Sequence, residues 1–234
     1  MLDCEVFIGW DTRQRLAWQV CARSILAHAK LPPPIRPIGL KTLGDWYRRP
    51  TDVRDGVLFD TVSGAPMSTE FALARFFVPF AARTHWALFV DGDFLFRADV
   101  AELLEQADQR YAVQVVMHSH QPHERVKMDA QPQSAYARKN WSSCVLWNLR
   151  HAGNGPRFGV TEANTKPGLW LHQFAWLQDH EIGALPPGWN WIDGWSAPDA
   201  EPKAVHFTAG VPPLVGDTGP YSAEWRQHLT AGER

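Results

Sequence analysis

The sequence has few cysteines, no long apolar run and no excess of either charge. Its three cysteines, Cys4, Cys21 and Cys144, are odd in number, widely spaced and set among apolar neighbours. They suit buried thiols rather than disulfides or a zinc knuckle. No segment approaches the roughly 20 apolar residues of a membrane-spanning helix, so an integral membrane segment is not expected. The opening "MLDCEVFIGW" shows neither the basic start nor the long apolar stretch of a signal peptide, which predicts a cytoplasmic location. Lys and Arg number 23 against 25 Asp and Glu, a formal charge of −2. Without a basic stripe, nucleic acid is not an expected partner, and an anionic substrate needs a local site.

What is present is a globular composition with a tryptophan excess. At 234 residues the chain can form a large core, and one domain spanning 1–234 is expected. Most of the 12 tryptophans lie between Trp141 and Trp225. Large aromatics ordinarily fill cores, but a group beside a cleft also suits the apolar faces of sugars.

Apolar runs and amphipathic stretches alternate along the chain. "CEVFIG" (Cys4–Gly9) reads as a buried first strand, and the helical spacing of Leu16, Val20, Ile25 and Ala29 predicts a helix after it. "IRPIGL" reads as an edge strand because of its proline. "STEFALARFFVPFAAR" predicts a helix capped by Ser68 that Pro79 kinks or stops. "WALFV", "YAVQVVM", "SSCVLWNL" and "AVHFT" read as further strands, "ADVAELLEQAD" and "LWLHQFAWLQ" as helices. The expected class is α/β, with a mixed, mostly parallel sheet flanked by helices.

Two acids mark the candidate site. In "WALFVDGDFLF", Asp91 and Asp93 stand at the end of a buried strand with only Gly92 between them. One reading is a tight type I′ hairpin turn at Asp-Gly. The other is a ligand site, because open parallel sheets bind ligands beyond the carboxyl ends of their strands. Two carboxylates on one side repel, and a hard divalent cation with oxygen ligands relieves the repulsion. His206, on a short apolar run near the C-terminus, is the candidate third ligand. A rival zinc site at His118, His120 and His123 in "HSHQPH" competes with an ordinary solvated loop.

The stretch from Ser68 to Glu105, an arginine-bearing helix and a strand ending in Asp-x-Asp, resembles nucleotide-sugar glycosyltransferases of the GT-A (Rossmann-like) fold. It is most similar to the retaining family 8, which includes glycogenin and bacterial galactosyltransferases. The resemblance implies a UDP-sugar donor and a Mn2+ (or Mg2+) ion held by Asp91, Asp93 and His206. It implies an acceptor that is a glycan, a lipid-linked sugar or a protein. Arg75 and Gly92, and Gly210 after the histidine, would belong to the donor site. Gly9, Trp10 and Asp11 would bound the uracil pocket, and Ser142 and Ser143 would lie near the donor sugar. Gln173 would sit beside the anomeric carbon, shielding and polarising it, because an amide is a poor nucleophile. Asp193 in "WNWIDGW" would orient or deprotonate the acceptor hydroxyl; a simple Asp-Gly turn is its alternative. Trp189, Trp191 and Trp195 would form an acceptor platform or pack in the core.

Departures from the family are specific. Ser142 stands for its asparagine, His172 for its aspartate, and "HFTAGVPP" lacks the lysine that meets the diphosphate. Lys203 or Arg13 would have to replace it. Two other readings remain: a haloacid dehalogenase-type phosphatase, for which a later lysine and second acidic pair are missing, and a non-catalytic sugar- or nucleotide-binding protein on the same scaffold.

Overall fold

The structure is a computed structural model that describes residues 3–118, 138, 140–197, 201–216 and 219–233. Its first half contains β1 (Cys4–Gly9), α1 (Arg15–His28), β2 (Ile35–Ile38), β3 (Thr51–Arg54), β4 (Val57–Asp60), β5 (Ala65–Pro66), α2 (Val78–Ala81) and β6 (Trp86–Val90). Then come β7 (Phe94–Phe96), α3 (Val100–Leu104), β8 (Val113–Val115), β9 (Cys144–Asn148), α4 (Val160–Thr165) and α5 (Gly168–His172). The C-terminal part holds β10 (Ile182–Ala184), β11 (Trp191–Ile192), β12 (Ala204–His206), α6 (Pro212–Val215) and α7 (Ser222–Gln227). None of the described helices is long and apolar enough to cross a membrane.

Six strands form the main sheet in the order β10-β8-β9-β6-β1-β2. Pairing is parallel except around β9, which runs antiparallel to both β6 and β8. β2 takes the edge, where the missing N–H of Pro37 costs no ladder bond. The strand runs are apolar throughout because both faces are covered. Phe7, Phe89, Val145 and Trp147 pack on one face with Phe77, Phe158 and Trp176. Val6, Ile8, Leu88, Val90 and Leu146 pack on the other with Cys21 and Ile25 of α1 and with Phe94. The tryptophan excess is thus largely core: Trp147, Phe158 and Trp176 stack with ring centroids 4.0 to 6.3 Å apart. The three cysteines are buried and unbridged, and burial pushes the Cys4 thiol up to about 12.

A second sheet, β11-β12-β7, decides between the two readings of Asp-Gly-Asp. β6 belongs to the main sheet and β7 pairs with β12, so the acids join two sheets and do not turn a hairpin. Neither Asp91 nor Gly92 has the positive φ that a type I′ turn requires. Gly92 serves close approach instead, since a Cβ there would lie 2.4 Å from the Gly9 carbonyl oxygen.

Two helix expectations are corrected. From Ser68 the chain runs through turns into a 3-10 turn at Ala74–Phe77 and only then into α2, with Pro79 in its first turn. Phe71 and Leu73 through Val78 are all buried, so this segment has no solvent face and follows the core rather than one helical stripe. Pro79 neither kinks nor stops a helix, because a first-turn residue has no helical acceptor to lose. The helix expected at "LWLHQFAWLQ" is α5 alone; Phe174, with φ of 49°, diverts the chain into turns.

Candidate metal and donor site

The register of the sheets brings the three expected ligands together. Val90 pairs with Ile8 on one side and Cys144 on the other, so the residues following β1 and β6 meet those preceding β9. Asp91 leaves β6 there, its N–H donating to the Ser143 carbonyl at 2.9 Å. Asp93 precedes β7, and His206 of β12 lies opposite Phe94 in that strand's register. One ligand atom from each of Asp91, Asp93 and His206 falls within 4.8 Å of the others. His206 Nε2 is 3.3 Å from Asp93 Oδ1 and 3.8 Å from Asp91 Oδ2.

The polar accounting points to a cation. Asp93 Oδ1 is buried with no hydrogen-bond donor, an expensive state for a carboxylate oxygen. His206 turns Nδ1 to Asn190 Oδ1 at 3.0 Å, which leaves Nε2 to the acids. Two carboxylates and an imidazole nitrogen form a donor set suited to Mn2+ or Mg2+. Arg75 sits beside it, with Nη1 2.8 Å from Asp91 Oδ1 and 2.9 Å from the Ser142 carbonyl. These groups line a cleft of about 190 Å3, whose walls also include Phe71, Asn140, His172 and Gly210.

No protein-family model matches the chain. It is 40% identical over 213 residues to Protein CDI of Arabidopsis thaliana, an overlap covering 88% of this chain and 78% of that protein. The chain belongs to the Protein CDI family. Solved structures share its architecture at far lower identity. The galactosyltransferase LgtC, in complex with donor and acceptor sugar analogs, matches with a TM-score of 0.55 and 12% identity over 96% of this chain and 94% of LgtC. The glycosyltransferase GlyE of Streptococcus pneumoniae TIGR4 gives 0.59 and 13% over 97% of this chain. The chain spans 60% of GlyE and 52% of the bifunctional WbbM. The likeness establishes the fold, and this member of the Protein CDI family has the GT-A fold.

The other expected site residues fall into three groups. Asp91, Asp93, His206, Arg75, Ser142, Ser143 and Gly210 line the cleft. Gly9, Trp10 and Asp11 are not among its lining residues. Asp11 accepts from the Arg13 guanidinium at 2.8 and 3.1 Å and from the Glu70 N–H at 3.0 Å, which pins the Ser68–Glu70 wall. Burial alone raises the Asp11 carboxyl, but these bonds outweigh it and hold it below the usual range. Gln173 and Asp193 are absent from the lining. Gln173 caps the C-terminus of α5, while its neighbour His172 lines the cleft and bonds Ser142 Oγ through Nδ1 at 2.8 Å. The two family departures therefore touch each other.

Asp193 supports the turn reading, since Gly194 follows it with φ of 75°. Its N–H donates to the His206 carbonyl at 3.1 Å, and burial raises its carboxyl, with the Gly194 N–H opposing. Trp189 and Trp191 are buried, which removes them from an acceptor platform. Lys203 pairs with Glu102 at 2.6 Å, and Arg13 is engaged by Asp11, so neither lines the cleft. Of the rival zinc residues, His120 and His123 lie outside the described residues.

Sequence reasoning gave no role to Asn190, Asn140, Phe71 or Thr208, although the cleft uses each. For Asn190 the signal was available: an amide between two tryptophans in "LPPGWNW" is a polar group in a run that reads as core.

Proposed function

We propose that this chain is a single-domain, metal-dependent glycosyltransferase that moves a sugar from a UDP-sugar to an acceptor with retention of configuration. The convergence of Asp91, Asp93 and His206 at the carboxyl end of β6, with a donorless oxygen on Asp93, carries this reading. These three side chains would hold Mn2+ or Mg2+. Bound there, the ion supplies Lewis-acid stabilisation of the charge that develops on a departing diphosphate.

The chain's own residues prepare that step. Arg75, fixed between the Asp91 carboxylate and the Ser142 carbonyl, adds positive potential to the donor side of the cleft. Phe71 and Ala72 supply apolar wall, and exclusion of water there strengthens each charge interaction. Ser142 and His172 form one wall as a bonded pair, and they offer the donor sugar a hydroxyl and an imidazole. In the segment expected to reach the anomeric carbon, His172 lines the cleft and Gln173 adjoins it at the end of α5. Family 8 membership, retention, the identity of the acceptor and a cytoplasmic location rest on the sequence resemblance and composition.

One observation favours the binding-protein reading: among the described residues lining the cleft, Arg75 is joined by no second lysine or arginine. Incubation with UDP-glucose, UDP-galactose and their N-acetyl forms, with and without Mn2+, separates the two. Transfer predicts metal-dependent UDP release that falls about 100-fold or more in Asp93→Asn. Metal-dependent nucleotide binding without turnover selects the binding protein, and no binding of any donor overturns both.

A further inference from the structure

We propose that Ser143 and Asn190 are positioning residues that hold His206 with its Nδ1 hydrogen donated to Asn190, so that Nε2 is the ring nitrogen turned toward Asp91 and Asp93. The proposal rests on the metal-site reading for its purpose, but its geometry stands on hydrogen-bond counting alone.

The chain of bonds has one self-consistent direction. Ser143 Oγ lies 2.7 Å from the Asn140 carbonyl oxygen, which can only accept. The hydroxyl's single hydrogen is therefore committed, and toward Asn190 it can only accept. Asn190 Nδ2 donates to it at 2.8 Å, which fixes the amide orientation and turns Asn190 Oδ1 toward His206 Nδ1 at 3.0 Å. An amide oxygen only accepts, so Nδ1 must carry the hydrogen. A flipped amide would set two acceptors against each other at Ser143, and Asn190, with 0% exposure, has no water to turn to. The Phe94 ring, stacked on the imidazole at 4.4 Å and 24°, holds the ring plane.

Ser143 also reaches a second ligand. Its carbonyl accepts the Asp91 N–H at 2.9 Å, so one residue sets the position of Asp91 through its backbone and of His206 through its hydroxyl. The far anchor, Asn140, has φ of 62°, a left-handed conformation that asparagine tolerates better than most residues. Outer partners of this kind orient metal-binding histidines and raise their affinity.

The test begins without metal. Long-range 1H–15N NMR of the metal-free protein, with the His206 signals assigned by their loss in His206→Ala, is expected to show the hydrogen on Nδ1. Asn190→Leu and Ser143→Ala are expected to move the population toward Nε2–H and to weaken Mn2+ binding, measured by calorimetry, about 10- to 100-fold. Ser143→Thr, which keeps the hydroxyl, should restore both. If Asn190→Leu does not fold, Ser143→Ala reads the same link. A wild-type Nε2–H tautomer, or a tautomer and Mn2+ affinity unmoved by either substitution, overturns the proposal. An Nδ1–H histidine in a protein that binds no Mn2+ upholds the relay and overturns the metal reading.

Discussion

Among the described residues, two buried arginine–aspartate groups are built to opposite ends. Arg49 and Asp60, with side chains 0% and 1% exposed, meet at 2.6 Å. Asp60 also accepts from the Ser63 N–H at 2.8 Å and from its hydroxyl. Arg49 spends Nη1 on the carbonyls of Ala163 and Lys166 at 2.9 and 2.8 Å, tying the β3–β5 hairpins to α4. Every charge there has its partners inside the fold. At the cleft, Arg75 pairs with Asp91, Asp93 keeps a buried oxygen without a donor, and His206 turns a ring nitrogen toward both acids. A saturated ion pair is architecture, whereas one left short of positive charge is a site that expects a ligand.

Removing Arg49 should break the contrast most severely. Arg49→Leu strands a buried carboxylate and is expected to cost about 3–5 kcal/mol in urea unfolding, with Mn2+ affinity unchanged in the folded fraction. The cleft should respond in the reverse sense. Mn2+ at 100 times its Kd is expected to stabilise the protein by about 2.7 kcal/mol, a gain absent from Asp93→Asn. In the metal-free state Asp93→Asn should unfold no more easily than the wild type, because it relieves the repulsion between Asp93 and Asp91. A loss comparable to that of Arg49→Leu would make Asp93 structural and erase the distinction.

Acid sharpens the comparison at smaller amplitude. Burial raises the Asp60 carboxyl, but Arg49 and Ser63 outweigh it and leave its folded value below the usual one. Such a group contributes stability that is full above the unfolded value near ~3.9 and fades as pH falls through the folded value. Unfolding free energy should therefore drop below about pH 4, and Arg49→Leu should flatten the part due to Asp60. The smallest effect belongs to Lys203, whose pair with Glu102 is 47% and 48% exposed. Lys203→Ala should shift stability by less than about 1 kcal/mol and leave nucleotide binding intact. Loss of UDP binding in that variant would instead give Lys203 the role of a diphosphate lysine.

Much of the fold was legible because its signals are local. β1, the edge strand at Pro37 and the continuous burial of "WALFV" follow from residue type and period, as does the placement of two acids at a strand end. The stretch from Ser68 to Pro79 has the period of a helix, yet only a 3-10 turn and α2 form there, because the burial of Phe71 and of Leu73 through Val78 leaves no solvent face for a single helical stripe to turn away from. Gln173 and His172 adjoin in sequence, and only the left-handed Phe174 and the contact with Ser142 decide which of them the cleft receives.

The sequence by itself determined that a pair of acids would end a buried strand and that a histidine could join them. Their spacing is local, and each run's apolar character sets its strand. Only the tertiary structure decided that His206 arrives with Nδ1 engaged, because that depends on Asn190 meeting Ser143 across 47 residues. Periodicity reports which face of an element is buried. It does not report which polar atoms meet once the faces close, since those meetings are fixed by sheet register and by the rule that every buried donor and acceptor finds a partner.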